Sequence, residues 1–234
     1  MLVRYAFNIK GIQVDDTFHA LEGIISEERY KKMQRYYFEA DKIRSLFAEV
    51  LLRYALKKHY GLEGADIQFD TNEYGKPSLK KTKNIYFNVS HSGDWVLCAI
   101  SSKPVGVDVE QIKEKNIDIA ERFYAEEEYQ TLLKSKNASE LFFVYWTLKE
   151  SYVKAEGKGM SISFSTFAFD VSEEAIVLKV NGEVCHTYQF QVYKIAEDFE
   201  AATCSMEPIE GFFEQVDLEQ VKEVLIGNSK KEKV

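Results

Sequence analysis

The chain has 234 residues, 45% apolar and 14% aromatic, with 3 prolines and 12 glycines. This composition can fill a core and excludes a disordered chain. Lys and Arg number 30 against 38 Asp and Glu, a net charge of −8, which excludes a sequence-independent grip on nucleic acid, because that grip rests on phosphate neutralisation.

The first segment alternates Val3, Tyr5 and Phe7 and predicts a strand. Ser26 opens a short helix with Glu27 and Glu28 in its first turn. A longer helix follows Asp41, with Ile43, Leu46, Phe47, Val50, Leu51, Tyr54 and Ala55 at the spacing of a buried face, and Gly61 stops it. Asn72 to Pro77 reads as a loop. Ile85 to Ser90, Trp95 to Ser101 and Val105 to Glu110 read as strands, and the short breaks between them predict an antiparallel meander. Ile117 to Phe123, Glu126 to Lys134 and Glu140 to Glu156 read as helices. Phe164 to Val171, Ile176 to Val180, Val184 to Ile195 and Phe199 to Ser205 follow as strands, with Asn181-Gly182 as a hairpin signal. Val216 to Leu225 closes as an amphipathic helix, and the tail around Lys230 is expected to fray. Strands and helices in both halves, without βα alternation, predict an α+β fold of two similar lobes.

Cys98, Cys185 and Cys204 form no CxxC pair and predict buried thiols in a reducing compartment. No apolar run approaches the roughly twenty residues of a membrane span, and no cationic stretch leads into an apolar one near Met1. The expectation is a cytoplasmic protein without membrane or nucleic-acid partners.

Val105-Gly106-Val107-Asp108-Val109-Glu110 carries the clearest chemical signal. Alternation puts the valines on one face and Asp108 and Glu110 on the other, with Gly106 leaving space beside them. Adjacent carboxylates suit a hard divalent cation, although a solvated strand face would look the same. Trp146, Glu150 and Lys154 lie along one side of a helix, as a plain surface ion pair would or as one wall of a cleft. Asn88-Val89-Ser90-His91-Ser92-Gly93 ends an apolar strand in a hydroxyl-rich turn able to hold an anionic oxygen. Tyr74-Gly75-Lys76-Pro77 alone is a turn, and Arg29, Lys32 and Arg44 alone are solvated helix charges. Walker, GxGxxG, GxSxG and HExxH motifs are absent.

Taken in order, Tyr74-Gly75-Lys76-Pro77, Phe87 to Ser92, Gly106 to Glu110 and Trp146 to Lys154 resemble the 4′-phosphopantetheinyl transferases, of the longer, two-lobed surfactin-synthetase-activating class. The likeness runs from about Ser26 to Ser205. It implies a pseudo-two-fold pair of lobes, residues 1–110 and 111–234, each a small, mainly antiparallel sheet packed with helices, with the active site between them. It implies that Asp108, Glu110 and Glu150 hold Mg²⁺ against the pyrophosphate of coenzyme A, while Lys154, His91 and Ser90 meet the phosphates. Tyr74, Gly75, Lys76 and Pro77 would flank the adenine, and Arg29, Lys32, Arg44 and Ser45 would grip the 3′-phosphate. Arg29 stands where relatives carry Lys, which keeps the charge and changes its geometry. Glu128, within Glu126-Glu127-Glu128, would be a further acidic residue near the metal.

The implied reaction moves phosphopantetheine from coenzyme A to a serine of an apo acyl or peptidyl carrier protein, releasing adenosine 3′,5′-bisphosphate, in a monomer serving peptide-synthetase or polyketide carriers. Glu150 is the first candidate base, Glu128 the second. Lys154 and His91 would serve the reacting phosphates. A Mg²⁺-dependent phosphodiesterase would share the carboxylates without needing the Tyr74 loop or the basic set. An inactive carrier-binding module would be expected to lose one of Asp108, Glu110, Glu150 or Lys154.

Overall fold

A computed structural model describes residues 1–113 and 118–227. Ile117, expected to open a helix, and the Lys230-rich tail lie outside the described residues. The first half runs β1 (Val3–Asn8), α1 (Asp16–Glu22), α2 (Glu27–Met33), α3 (Glu39–Tyr60), β2 (Phe69–Thr71), β3 (Pro77–Leu79), β4 (Tyr86–Ser92), β5 (Trp95–Ser101) and β6 (Val105–Gln111). The second runs α4 (Asp118–Phe123), α5 (Glu126–Lys134), α6 (Ala138–Glu156), β7 (Phe167–Val171), β8 (Ile176–Val180), β9 (Glu183–Val184), β10 (Gln189–Ala196), β11 (Phe199–Ser205), β12 (Glu214–Val216) and α7 (Leu218–Leu225). Among the described residues no helix is long and apolar enough to cross a membrane.

The sequence reading lacks α1, the β2–β3 pair and β12. These pieces are too short for a period to show; α1 is marked only by its cap, Asp15, which accepts the Phe18 N–H at 2.9 Å. At the expected hairpin, Asn181 and Gly182 both take positive φ, 52° and 82°, as a two-residue turn between β8 and β9 requires.

Two sheets carry the architecture, in the orders β12-β1-β5-β4 and β10-β11-β6, and every pairing is antiparallel except β1 with β12. The expected meander holds for β4 and β5 only. Both hydrogen-bonding edges of β5 are taken, by β1 and β4, so β6 leaves after Pro104 and pairs with β11 along its whole length.

Tyr5, Phe7, Val96, Cys98 and Ile100 face α3, whose Leu46, Phe47, Val50 and Leu51 complete that core. Ala202 and Cys204 of β11 face α6, with Leu148, Tyr152 and the β7–β8 aromatics. Between the sheets lie Ala6, Trp95, Leu97 and Ala99 against Val105, Val107, Val109 and Ala201. The result is an α+β fold of two similar lobes, each a long helix laid on a small sheet, with the sheets stacked inner face to inner face.

The valine face of β6 therefore goes to the inter-sheet core, as alternation predicts. Gly106 has a different use from the expected one. Its open side belongs to α6: a Cβ there would stand 1.9 Å from the Ser151 carbonyl oxygen and 2.7 Å from the Ala155 nitrogen. Gly106→Ala would push α6 off the sheet, at a cost of about 3 kcal/mol or about 10 °C in Tm. An unchanged melting curve would mean that α6 does not need this approach.

Candidate active site

The two sheets meet at their edges along β4 and β6, and side chains close that seam. Alternation puts Asn88, Ser90 and Ser92 on the face of β4 toward β6. Asn88 Oδ1 accepts the Val107 N–H at 2.8 Å, Ser90 Oγ donates to Asp108 Oδ1 at 2.8 Å, and Ser92 Oγ donates to Glu110 Oε2 at 3.0 Å while accepting the Gln111 N–H. The motif is thus the lacing between sheets. All three lie in the motif quoted from the sequence, and the resemblance gives a site role to Ser90 alone; the same period-2 spacing marks the other two.

From α6, Lys154 reaches across the seam. Its Nζ donates to Asp108 Oδ1 at 2.6 Å, Ser90 Oγ at 3.0 Å and the Val107 carbonyl at 3.3 Å. Asp108 is 2% exposed, and its other oxygen, Oδ2, is buried without a hydrogen-bond partner. Burial, then the Asp108 charge, pushes the Glu110 carboxyl up to about 7 against the hydrogen bond from Ser92. Glu150, one helical turn before Lys154, is also held above the ordinary carboxylate range, by burial and by Asp108, with Lys154 opposing. Three carboxyl groups thus crowd one region with one ammonium between them.

The basic set lies beside this group. Arg44 of α3 donates from Nη1 to the Gly93 carbonyl at 2.9 Å, in the turn after His91, and from Nη2 to Asp41 at 2.5 Å. Ser45 Oγ is buried and has no partner. Arg29 projects from the first turn of α2, and the exposed Lys32 follows at i+3 on the same side. The His91 ring touches solvent, yet packing around it and the charges of Arg44, Lys154 and Arg29 hold its pKa well below the usual value. The cations are the part of that effect an exposed ring retains. Residues from α2, α3, β4 and α6 therefore share one electropositive corner.

The Tyr74 loop is pinned to the end of α6. Asn72 donates to the Gly157 carbonyl at 2.7 Å and accepts the N–H groups of Tyr74 and Lys76. Lys76 Nζ donates to the carbonyls of Lys154, Ala155 and Val105, and burial lowers its pKa to about 8. Its ammonium holds a helix end, which the sequence did not disclose. Tyr74, Gly75, Lys76 and Pro77 form one wall of a cleft of about 690 Å³, with Trp146, Glu150, Lys154, Asn88, Phe123, Met160 and Phe164 around it. Asp108, Glu110 and His91 stand outside this wall; Asp108 connects to it through Lys154. A hollow of about 740 Å³ near Ile24, Leu62 and Phe69 contains none of the carboxylates predicted to bind metal.

Among the described residues no three His, Cys, Asp or Glu side chains close on a point as a complete metal cage. The residues nevertheless fit a hard divalent cation completed by ligand oxygens: all donors are carboxylate oxygens, Asp108 Oδ2 lacks a partner, and Lys154 offsets the Glu110 and Glu150 charges only in part.

Comparison with known proteins decides the family. Residues 13–103 match the model described as 4′-phosphopantetheinyl transferase, N-terminal, and residues 104–204 match the 4′-phosphopantetheinyl transferase superfamily. A 4′-phosphopantetheinyl transferase of Bacillus subtilis is 34% identical over 93% of this chain and 99% of its own. The chain belongs to the 4′-phosphopantetheinyl transferase family. The transferase Sfp of Bacillus subtilis strain 168 is 35% identical over 86% of this chain and 90% of its own, and gsp of Aneurinibacillus migulanus 39% over 81% and 79%. The crystal structure of Thermotoga maritima holo-[acyl-carrier-protein] synthase is similar at 27% identity and a TM-score of 0.37, covering 43% of this chain and 61% of that one.

In this transferase Glu128 needs correction. It is 1% exposed, pairs with Lys149 Nζ at 2.8 Å, and accepts the N–H groups of Phe169 at 2.8 Å and Ala125 at 3.0 Å. Lys149 is itself fully buried and donates to the carbonyls of Phe164 and Phe167, each at 2.7 Å. The carboxylate fastens α5 and β7 to α6 and is buried away from the cleft that Glu150 lines. A glutamate in a helix first turn looks the same in sequence whether it faces solvent or a buried lysine.

Proposed function

We propose that this phosphopantetheinyl transferase takes coenzyme A as donor and, with Mg²⁺, moves its 4′-phosphopantetheine to a serine hydroxyl of an apo acyl or peptidyl carrier protein. The observation that carries this reading is the junction at Lys154: one ammonium ties Asp108 to Ser90 across the seam while Asp108 Oδ2 is left free beside Glu110 and Glu150. Arg29, Lys32, Arg44 and Ser45 are assigned to the 3′-phosphate, and Tyr74, Gly75 and Pro77 to the adenine side. Lys76 keeps that loop in place. Because β6 pairs with β11, the lobe boundary would fall at about residue 104 rather than the expected 110; Glu150 and Lys154 then lie on one side and the basic set on the other, so coenzyme A would bind where the lobes meet.

In the reaction the serine oxygen forms a bond to the β-phosphorus. The bond from that phosphorus to the bridging oxygen breaks, and adenosine 3′,5′-bisphosphate leaves with the electron pair. Asp108, Glu110 and Glu150 would hold Mg²⁺, which supplies charge neutralisation on the pyrophosphate. Glu150 lines the same cleft and is assigned as the base that accepts the serine proton, as ligand or through a water. Lys154, whose donors hold Ser90, Val107 and Asp108, would set its positive charge beside the phosphate oxygens, and His91, kept neutral by the packing around it and by its cationic neighbours, would serve as a hydrogen-bond donor there.

Melting tests the shared site. Coenzyme A and Mg²⁺ together are expected to raise Tm by more than the sum of their separate shifts, because the pyrophosphate completes the ion's oxygen shell and the ion offsets repulsion among the carboxylates. Strictly additive shifts would place nucleotide and metal apart.

A further inference from the structure

Arg29 is held by a buried carboxylate that the reaction does not use. Glu49 lies on α3, 2% exposed, inside the lobe and behind the basic corner. Its Oε1 accepts the Ser26 N–H at 2.6 Å and the Arg53 guanidinium at 2.7 Å and 2.8 Å. Its Oε2 accepts the Ser26 hydroxyl at 2.7 Å and lies 3.6 Å from Arg29 Nε. The same Ser26 hydroxyl caps α2 by accepting the Arg29 N–H at 3.2 Å.

Glu49 therefore fixes Arg29 twice, through the main chain by way of Ser26 and through the side chain at Nε. Contact at Nε engages one edge of the guanidinium fork. Among the described residues its two terminal nitrogens make no hydrogen bond, so they remain available to an anion. Arg53 supplies the second positive charge that allows a carboxylate to stay buried at this point. α3 also carries Arg44 and Ser45 in its first half. A short helix such as α2, with seven residues, has little stability of its own, and this tie sets its position against α3.

We propose that Glu49 is a positioning residue for the anion-binding corner: it locks the start of α2 onto α3 so that Arg29 and Lys32 stand at a fixed distance from Arg44 and Ser45. The inference rests on the 3′-phosphate reading above. It concerns the arrangement of that pocket, and Glu49 itself touches no substrate.

The test compares coenzyme A with 3′-dephospho-coenzyme A in steady-state transfer to one apo carrier protein. Glu49→Gln keeps the shape of the side chain and removes its charge. It is expected to raise KM for coenzyme A about tenfold, leaving kcat and the KM for the dephospho ligand within about twofold, each tenfold step being about 1.4 kcal/mol. Ser26→Ala, which breaks the tie without disturbing the Arg53 pair, is expected to give the same split at about threefold, and stands in if Glu49→Gln fails to fold. Arg44→Ala is the control for the underlying reading. If Arg44→Ala discriminates between the two ligands while Ser26→Ala and Glu49→Gln weaken both equally, or lower only Tm, Glu49 is a structural residue and the proposal is overturned. If Arg44→Ala does not discriminate either, the 3′-phosphate assignment fails first and the proposal falls with it.

Discussion

Asp108→Ala and Glu150→Ala are each expected to lower transfer by about a thousandfold, equivalent to about 4 kcal/mol of transition-state stabilisation, while melting stays within a few degrees of the parent. The reason for the intact fold is local. Without Asp108, Lys154 keeps Ser90 Oγ and the Val107 carbonyl and remains 26% exposed, so no buried charge is orphaned. Glu150 has a pKa raised by folding. Such a carboxyl favours the folded state only below its unfolded pKa and opposes it as pH rises above, so its removal at neutral pH does not cost stability. Circular dichroism melting beside a single-turnover assay measures both effects. A variant turning over at near the parent rate with saturating Mg²⁺ would remove that residue from the site.

The opposite signature is expected at Lys149. Lys149→Met leaves the Glu128 carboxylate buried with two N–H donors and no cation, a loss of about 3–5 kcal/mol, or about 10 °C or more in Tm. Adding Glu128→Gln should recover much of that loss, because neither partner is then charged. Glu128→Gln alone should keep its turnover per folded molecule within a few fold. A stable, folded Glu128→Gln protein with a thousandfold loss would restore Glu128 as the base and overturn the structural assignment.

Sequence patterns reveal the elements wherever one period runs long enough. The buried face of α3, the alternation of β4 to β6 and the Asn181-Gly182 turn are each visible that way. They do not reveal the partner of β6, because its valine face is equally consistent with β5 or β11 as neighbour; the decision comes from β1, far away in sequence, occupying the free edge of β5. Gly106 shows the same limit: alternation puts it beside the carboxylates, while the approach of α6 decides its use.

The site divides similarly. Asp108, Glu110, Ser90 and Lys154 come together because two strands and a helix each contribute side chains at regular spacing. Lys76, Glu128 and Glu49 could not be placed from spacing, since each acts through a tertiary partner: the α6 carbonyls, Lys149, and Ser26 with Arg29.

Intact-mass analysis of an apo carrier protein incubated with this enzyme, coenzyme A and Mg²⁺ tests the central claim most directly. The carrier should gain the mass of one phosphopantetheine arm, lose that gain when its acceptor serine is changed to Ala or the metal is chelated, and regain it when Mg²⁺ is restored. An unmodified carrier with intact coenzyme A would contradict the account. So would hydrolysis of coenzyme A without transfer, the outcome of a phosphodiesterase.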